Sequence, residues 1–408
     1  MPKDNNKKVL NCPPLRFPEF TGEWEANSLK SVCKIDKGAG ISKAELSETG
    51  EPCILYGELY TKYKSEIINE IVSKTNIPSD KLVRSRANDV IIPCSGETAI
   101  DIATARCIPY DNILLGGDLN ILRLSKKVDG AFLSYQLNGT RRKDIAKVAQ
   151  GVSVVHLYPE HIKGIKVYIP TAHEQKKIAK LISLLDERIA TQNKIIEKLQ
   201  SLIRGINDDF HNSLKGESVS FNMLGEAYSG LSGKSGEDFG CGKPYITYLN
   251  VYQNNVVLEE QVEYVKVGEN ERQNKVRNGD ILFTLSSETP DEVGVGAVFL
   301  GMDSKYYLNS FCFGIHITST EKVYPPYMAY FVSSKMFRRF VLPLAQGSTR
   351  FNLQKNDFMR KNFCLPNFDQ QVTIAKYLDC ITEKLNTESA LKTKYEVLKQ
   401  HLLSQMFI

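Results

Sequence analysis

At 408 residues, with 42% hydrophobic and 24% charged residues, the chain has the length for two or three domains with sizeable cores and the composition of an ordinary globular protein. No run approaches the ~18 apolar residues of a membrane span, and the polar N-terminus has no signal-peptide apolar region, so the expected location is cytoplasmic with no membrane partner. The nine cysteines are scattered singly without a Cys-x-x-Cys pair, which argues against a disulfide framework and a zinc site and for core thiols.

Residues 1–20 are polar and carry Pro13, Pro14 and Pro18, and read as an extended lead-in. Residues 21–170 form a mixed domain. Asp89 to Ile92 and Ile121 to Leu124 read as strands, and Phe132 to Val148 reads as a helix. A long helix follows at 171–212, spanning Ala172 to Phe210 over about 58 Å at 1.5 Å per residue. A second mixed domain covers 213–366, with strands at Asp280 to Phe283 and Phe311 to Ile315, and a second long helix fills 367–408.

The second half repeats the first. Ala149-Gln150-Gly151 returns as Ala345-Gln346-Gly347, Pro170 as Pro366, Gln175 as Gln371, and Ile178-Ala179-Lys180 as Ile374-Ala375-Lys376, each 196 residues on. With small gaps, Ser95-Gly96-Glu97-Thr98 parallels Ser286-Ser287-Glu288-Thr289. Two copies of one long unit predict two similar sites on one polypeptide.

In the first long helix Ile178, Ile182, Leu185, Ile189, Gln192, Ile196, Leu199, Ile203, Ile206 and Phe210 alternate at four and three residues, an a/d heptad stripe with one polar member. The second begins in the same phase with Ile374, Leu378, Ile381 and Leu385. It then reads as slipping by one position, through Leu391, Tyr395, Leu398 and Leu402. The expected fold is α/β (α+β): two similar mixed domains separated by a long antiparallel two-helix coiled coil, with a pseudo-two-fold internal repeat.

Catalytic patterns are missing. Ser232-Gly233-Lys234-Ser235 resembles the end of a phosphate loop, but Tyr228 stands where its first glycine belongs. Tyr324-Pro325-Pro326-Tyr327 lacks the short acidic or amide residue an amino-methyltransferase needs. The histidines have no ligand spacing, and His156 and His316 sit in apolar runs that suit core roles. The reading is of a non-catalytic chain that binds no cofactor or metal of its own.

Binding residues do recur. Seven Lys/Arg against two acids lie between Ile121 and Gln150, and seven against one between Tyr327 and Lys361. Arg142 falls on Arg338 and Lys143 on Arg339, and Arg141 precedes them; such donors suit phosphate oxygens. The glycine-containing loops that end in Lys43 and Lys234 are equivalent and would let a backbone approach a phosphate or a groove edge. After the shared Ala-Gln-Gly, copy one carries Ser153, while copy two has Ser348, Thr349, Arg350 and Asn352, groups that suit base edges. Replacing Arg338 and Arg339 together is expected to weaken binding to all sequences; replacing Arg350 or Asn352 is expected to alter preference at one half-site.

These features together resemble the specificity subunit of type I restriction–modification systems, and the resemblance covers nearly the whole chain. It is carried by Pro14-Leu15-Arg16-Phe17-Pro18-Glu19-Phe20 with Gly22-Glu23-Trp24-Glu25, by Asn278-Gly279-Asp280-Ile281-Leu282, by Gly116-Gly117-Asp118, and by the junctions Ile169-Pro170 to Glu174-Gln175 and Leu365-Pro366 to Gln370-Gln371. Copy one departs with Asn88-Asp89 where the family tends to Gly-Asp, and Gln370 stands where Glu is usual. The resemblance implies two target recognition domains, each reading half of a bipartite site in double-stranded DNA, with helices that set the spacer. Ile178, Ile182, Leu185, Ile189, Ile196, Leu199, Ile203, Ile374, Leu378, Ile381, Leu385, Leu398 and Leu402 would form the helix seam or dock partners. Those partners would be two methyltransferase subunits and a restriction/translocase subunit, which bring S-adenosylmethionine and ATP/Mg and flip and methylate an adenine. A duplicated coiled-coil protein–protein adaptor without sequence-specific DNA recognition is the alternative. It explains the repeat and the heptads but not the matched basic clusters.

Overall fold

The repeat of sequence is a repeat of topology. In the computed structural model, which describes residues 11–78, 82–213, 215–303 and 305–408, the chain forms two units. Unit 1 runs to Lys194 and takes back Ala390–Ile408; unit 2 is Ile195–Ser389. Residues 1–10 of the predicted lead-in and Leu214, beside the predicted boundary at 213, lie outside the described residues. Unit 1 carries an antiparallel sheet of β1 (Cys33–Lys37), β2 (Asp89–Pro93), β3 (Arg106–Ile108) and β4 (Leu119–Leu124), in the spatial order β1-β4-β2-β3. Unit 2 carries β5 (Gly225–Ser229), β6 (Ile281–Thr284), β7 (Gly296–Val298) and β8 (Cys312–Ile317), in the order β5-β8-β6-β7. The order is the same. A second sheet in each unit pairs matching strands in parallel, Leu114–Leu115 with Glu51–Ile54 and Tyr307–Leu308 with Phe239–Ile246.

Strands β2 and β6 are buried along their whole length, as the apolar runs at 90–93 and 281–283 favour, and the burial extends to polar Asp89 and Thr284. The turn before each needs a left-handed residue. Unit 2 uses Gly279 (φ 86°) and unit 1 uses Asn88 (φ 79°), so the departure from glycine leaves the turn intact. Asparagine is among the few non-glycine residues that enter this conformation readily. Here its amide donates to Val128 O at 2.9 Å and accepts from Gly130 N at 2.6 Å. β6 starts at Ile281, one residue after the predicted start, because its ladders with β7 and β8 begin there.

The predicted helix from Phe132 to Val148 is two helices, α1 (Gly130–Asn138) and α2 (Arg142–Lys147). Apolar periodicity runs through the break, but the backbone does not. At Gly139 an added Cβ would lie 3.0 Å from Tyr135 O and 3.2 Å from Leu403 O, so a larger residue fits only if these carbonyls give way. After α3 (Ala172–Ser213), unit 2 repeats the break between α4 (Pro325–Phe331) and α5 (Lys335–Val341), where Ser334 caps Phe337 N at 3.1 Å. The Pro-Pro pair of the rejected methyltransferase pattern opens α4, a position that lacks a helical N–H partner anyway.

The last long helix is α6 (Phe368–Gln405). The shared glutamines explain how α3 and α6 leave their domains. Gln175 Nε2 donates to Pro170 O (2.9 Å) and Lys127 O (3.0 Å), and its Oε1 accepts from Asp129 N (2.8 Å). Gln371 does the same with Pro366 O (2.8 Å), Lys322 O (2.7 Å) and Tyr324 N (2.9 Å). One amide satisfies three backbone groups around a buried junction.

Each unit also takes in the far end of the other long helix. Ile206 and Phe210 of α3 pack on the unit 2 core around Phe221, Phe283 and Phe358. Leu402, Leu403, Met406 and Phe407 of α6 join the unit 1 core with Trp24 and Phe132. The predicted slip along α6 does not occur. Leu398 is 43% exposed and Lys399 only 7%, so the inward line keeps its alternation of four and three through Glu388, Lys392, Tyr395, Lys399, Leu402 and Met406. A reading by hydrophobicity passed over Lys399 because it is charged; its ammonium is buried against Glu66 Oε2 (2.5 Å) and Asp186 Oδ1 (2.6 Å).

The cysteines are free thiols. Cys53, Cys94, Cys107 and Cys312 are buried, whereas Cys241 and Cys380 are exposed rather than in the core. Burial pushes the Cys94 and Cys107 thiols up to about 12, which keeps them protonated and inert.

Candidate nucleic-acid interface

The shared Ala-Gln-Gly motif makes a hairpin in both units. In unit 2, Ala345–Gln346 pairs with Phe351–Leu353, which pairs in turn with Ser286–Ser287 of the Ser-Ser-Glu-Thr element. In unit 1, Gln150 bridges His156, and Val155–His156 pairs with Ser95–Gly96. Glycine is required at both turns. Gly151 (φ 126°) and Gly347 (φ 149°) have left-handed backbones, and a Cβ on either would lie 2.0 Å from the carbonyl oxygen of Val154 or Arg350. Residues 151–154 and 347–350 are therefore two exposed tips of like construction.

Their side chains differ. Unit 1 presents Val152 (96% exposed), Ser153 and Val154; unit 2 presents Ser348, Thr349 and Arg350, with exposed Asn352 in the strand behind. The Arg350 guanidinium lies over the Phe311 ring, 5.1 Å from its centroid. Lys355 stands likewise over Phe313 at 5.3 Å, and burial lowers its pKa. Beside the unit 1 tip, His156 Nδ1 is 3.1 Å from Ser95 Oγ, and its ring stacks on Tyr158, over which Lys37 sits at 5.3 Å.

The recurring basic residues divide into two kinds. Arg142 and Arg338 are equivalent, but both face inward. Arg142 donates to Ile100 O at 3.1 Å, while Arg338 donates to Val293 O at 2.8 Å and Pro290 O at 3.3 Å, and burial lowers its pKa. Each pins the turn that follows the Ser-Gly-Glu-Thr or Ser-Ser-Glu-Thr strand, so their recurrence has an architectural cause. Arg141 is also committed, to Ile408 O, to Asp144 at 3.1 Å and to the Tyr168 ring. Lys143 and Arg339, the second equivalent pair, are exposed. Arg338→Ala is therefore expected to lower stability by about 1–3 kcal/mol and to leave the salt dependence of DNA binding unchanged; thermal melts and salt titrations check it.

The two glycine-containing loops also part company. Lys43 is exposed in a short turn capped by Ser42 and Glu45. Lys234 is not free for a phosphate, because its ammonium is buried against Glu271 at 2.5 Å. That bond is the chief cause holding the Glu271 carboxyl down to about 2. The small residues serve internal packing, since a Cβ at Gly38 would lie 1.9 Å from Gly116 O and one at Gly230 2.0 Å from Asn309 O.

Of the seam positions, Ile178, Ile182, Ile374, Leu378 and Leu402 are buried, and Leu185, Ile189, Ile196, Leu199, Ile203, Ile381 and Leu385 are partly buried. Leu398 alone faces out. Sequence reading also missed Phe311. Its partner in the repeat is Asp118: the carbonyls of Asp118 and Phe311 accept from Cys94 N (2.7 Å) and Leu285 N (2.8 Å) at matching places. Extending the alignment by one residue beyond each strand would have found it.

Among the described residues there is no cluster of His, Cys, Asp and Glu able to hold a metal, and no helix long and apolar enough to cross a membrane.

The family described as "Type I restriction modification DNA specificity domain" matches residues 21–201 and 232–397. The chain is similar to the type I restriction enzyme MjaVIII specificity subunit of Methanocaldococcus jannaschii, with 23% identity over 98% of this chain and 95% of that protein. Among solved structures it resembles the S subunit of a type I restriction–modification system from M. genitalium (16% identity, 97% and 99% of the two chains, TM-score 0.55). It also resembles a chain from a study of type I R-M complex assembly and conformational transition (15% identity, 97% and 99%, TM-score 0.57). At these identities the structures speak for the fold.

Proposed function

Since this chain belongs to the type I restriction–modification DNA specificity family, we propose that it is the non-catalytic subunit that reads a bipartite site in double-stranded DNA, one half with each unit. The observation that carries this reading is the duplicated hairpin: two exposed tips on matched scaffolds, with different side chains at corresponding positions. Similar frames with different tips would recognise different half-sites. In this reading α3 and α6 pair antiparallel as a coiled coil, separate the recognition domains and so set the unspecific spacer, on the order of one duplex turn for two readers on one face. Their outward faces would dock two methyltransferase subunits, and a restriction/translocase subunit would join the assembly. S-adenosylmethionine and ATP/Mg would be held by those partners. Lys43, Lys143, Arg339 and Arg360 are exposed and would contact phosphates, with Ser153, Ser348, Thr349, Arg350 and Asn352 nearer the bases.

The test is binding of the full chain, assembled with its methyltransferase subunits, to random duplexes across a salt series. The expected result is affinity that falls steeply with salt, as released counterions require, together with enrichment of two short blocks at fixed separation. Salt-insensitive or sequence-blind binding would favour a protein–protein adaptor.

A further inference from the structure

The repeat supplies an internal control for what each tip can read. At the 196-residue offset Val152, Ser153 and Val154 correspond to Ser348, Thr349 and Arg350. The backbone frames match, so the difference lies in the side chains. Unit 1 has an aliphatic Val154 at the tip and exposed Asp118 in the place beside it. Unit 2 has Arg350 at the tip and Phe311 in that place.

Arg350 differs from Arg338 in what its guanidinium faces, and it rests on an aromatic ring. Arg338 is spent on backbone carbonyls. The Arg350 guanidinium makes no hydrogen bond or ion pair among the described residues, and rests instead on the ring of Phe311, which is 47% exposed. A guanidinium held over an aromatic face keeps its N–H groups available at its edge, and it is pre-oriented because stacking restricts its rotamers. Phe311 is fixed in turn. Its N–H donates to Asn309 Oδ1 at 2.9 Å, and its carbonyl accepts from Leu285 N at 2.8 Å. The strand following Arg350 is paired on both sides, Phe351 with Ser287 and Asn352 with both Ser286 and Gln346. The result is an unpaired fork on a rigid base at an exposed tip.

A planar fork with two parallel donors fits one base edge in the major groove best, the O6/N7 pair of guanine. Resting on the proposed function, we propose that Arg350, positioned by Phe311, selects a guanine in the half-site read by unit 2, and that unit 1, with Val154 and Asp118 at these places, has no counterpart. Thr349 and Ser348 beside it can donate or accept and so do not dictate a base by themselves.

The test uses the full chain assembled with its methyltransferase subunits, with selection from a library of random duplexes, for wild type, R350A, R350K and F311L. The wild type is expected to enrich a bipartite site with one invariant guanine in one block. R350A should lose the preference for that guanine, about ten- to a hundredfold, while the other block stays unchanged and so reports that the protein is folded. R350K should keep the salt dependence but lose the guanine preference, because an ammonium is a point charge without the fork. F311L should weaken the preference at that position alone. If R350A leaves the motif intact, or lowers affinity equally for all sequences as a phosphate contact would, the assignment of Arg350 is overturned and the bipartite reading stands. If the wild type enriches no motif, the reading and the assignment fall together.

Discussion

Lys399→Met is expected to destabilise the protein by about 3–5 kcal/mol, as breaking a buried pair does, and to lower the melting of unit 1 by roughly 10 °C. The ammonium sits between Glu66 (2.5 Å) and Asp186 (2.6 Å), and all three side chains are nearly inaccessible. Asp186 is further held by Tyr135 OH at 2.7 Å and Ser65 Oγ at 3.0 Å. Without Lys399 the two carboxylates lose their ion-pair partner and keep only the longer-range attraction of buried Arg106, whose guanidinium is bonded to Leu59 O and Tyr63 O. Burial alone would lower the Lys399 pKa, but attraction to Glu66 and Asp186 outweighs it and the value is raised. A raised lysine contributes fully below its unfolded pKa of ~10.4, and the contribution is lost as pH rises through the folded value above that. The wild-type pair is therefore intact across the neutral range. In K399M the stranded carboxylates would gain stability by taking up protons, so the deficit should shrink as pH falls from 8 to 5. K399M/E66Q should recover part of the loss at pH 8. Melts of the three proteins at both pH values decide it. A deficit independent of pH, with no recovery in the double variant, would mean that lost packing rather than stranded charge dominates.

Glu174→Ala is expected to cost about 3–4 kcal/mol for a related reason. Glu174 is 1% exposed. Its carboxylate takes both forks of Arg16 (2.7 and 2.8 Å) and the indole N–H of Trp24 at 3.2 Å, so it pins the lead-in to the start of α3. The Arg16 pKa is raised, chiefly by this bond. Trp24 is the only tryptophan of the chain, and its ring is buried against Phe132 and Phe407. Its fluorescence therefore reports directly on this junction. E174A should shift the emission to the red and lower the melting point, and E174Q should do both to a smaller degree. Unchanged emission with a normal melt would remove Glu174 from any structural role.

What the sequence reveals here follows from which interactions leave a periodic trace. The repeat is legible because Gly151 and Gly347, and Gln175 and Gln371, occupy places where backbone approach or three buried hydrogen bonds admit few other residues. The α3 stripe is legible because apolar burial recurs at heptad spacing. The phase of α6 is not, because its inward line contains the charged residues Glu388, Lys392 and Lys399, and Lys399, buried beside partners distant in sequence, reads as exposed. Charge also misleads in the other direction. Arg141, Arg142, Arg338 and Lys234 look like a binding surface when only their sign is known, but their partners are Ile408 O, Ile100 O, Val293 O and Glu271. The helix break at Gly139 is masked by apolar periodicity that runs across it, although a glycine directly after Asn138 is a local stop signal.

In the function proposed above, each unit reads one half of a split DNA site for a methyltransferase partner. The most direct test is expression of this chain with its methyltransferase subunits, followed by genome-wide mapping of methylated adenines by single-molecule sequencing. The expected result is a single bipartite motif with a fixed spacer, absent when the chain is deleted. A stable complex of the same proteins that leaves no such motif would contradict it.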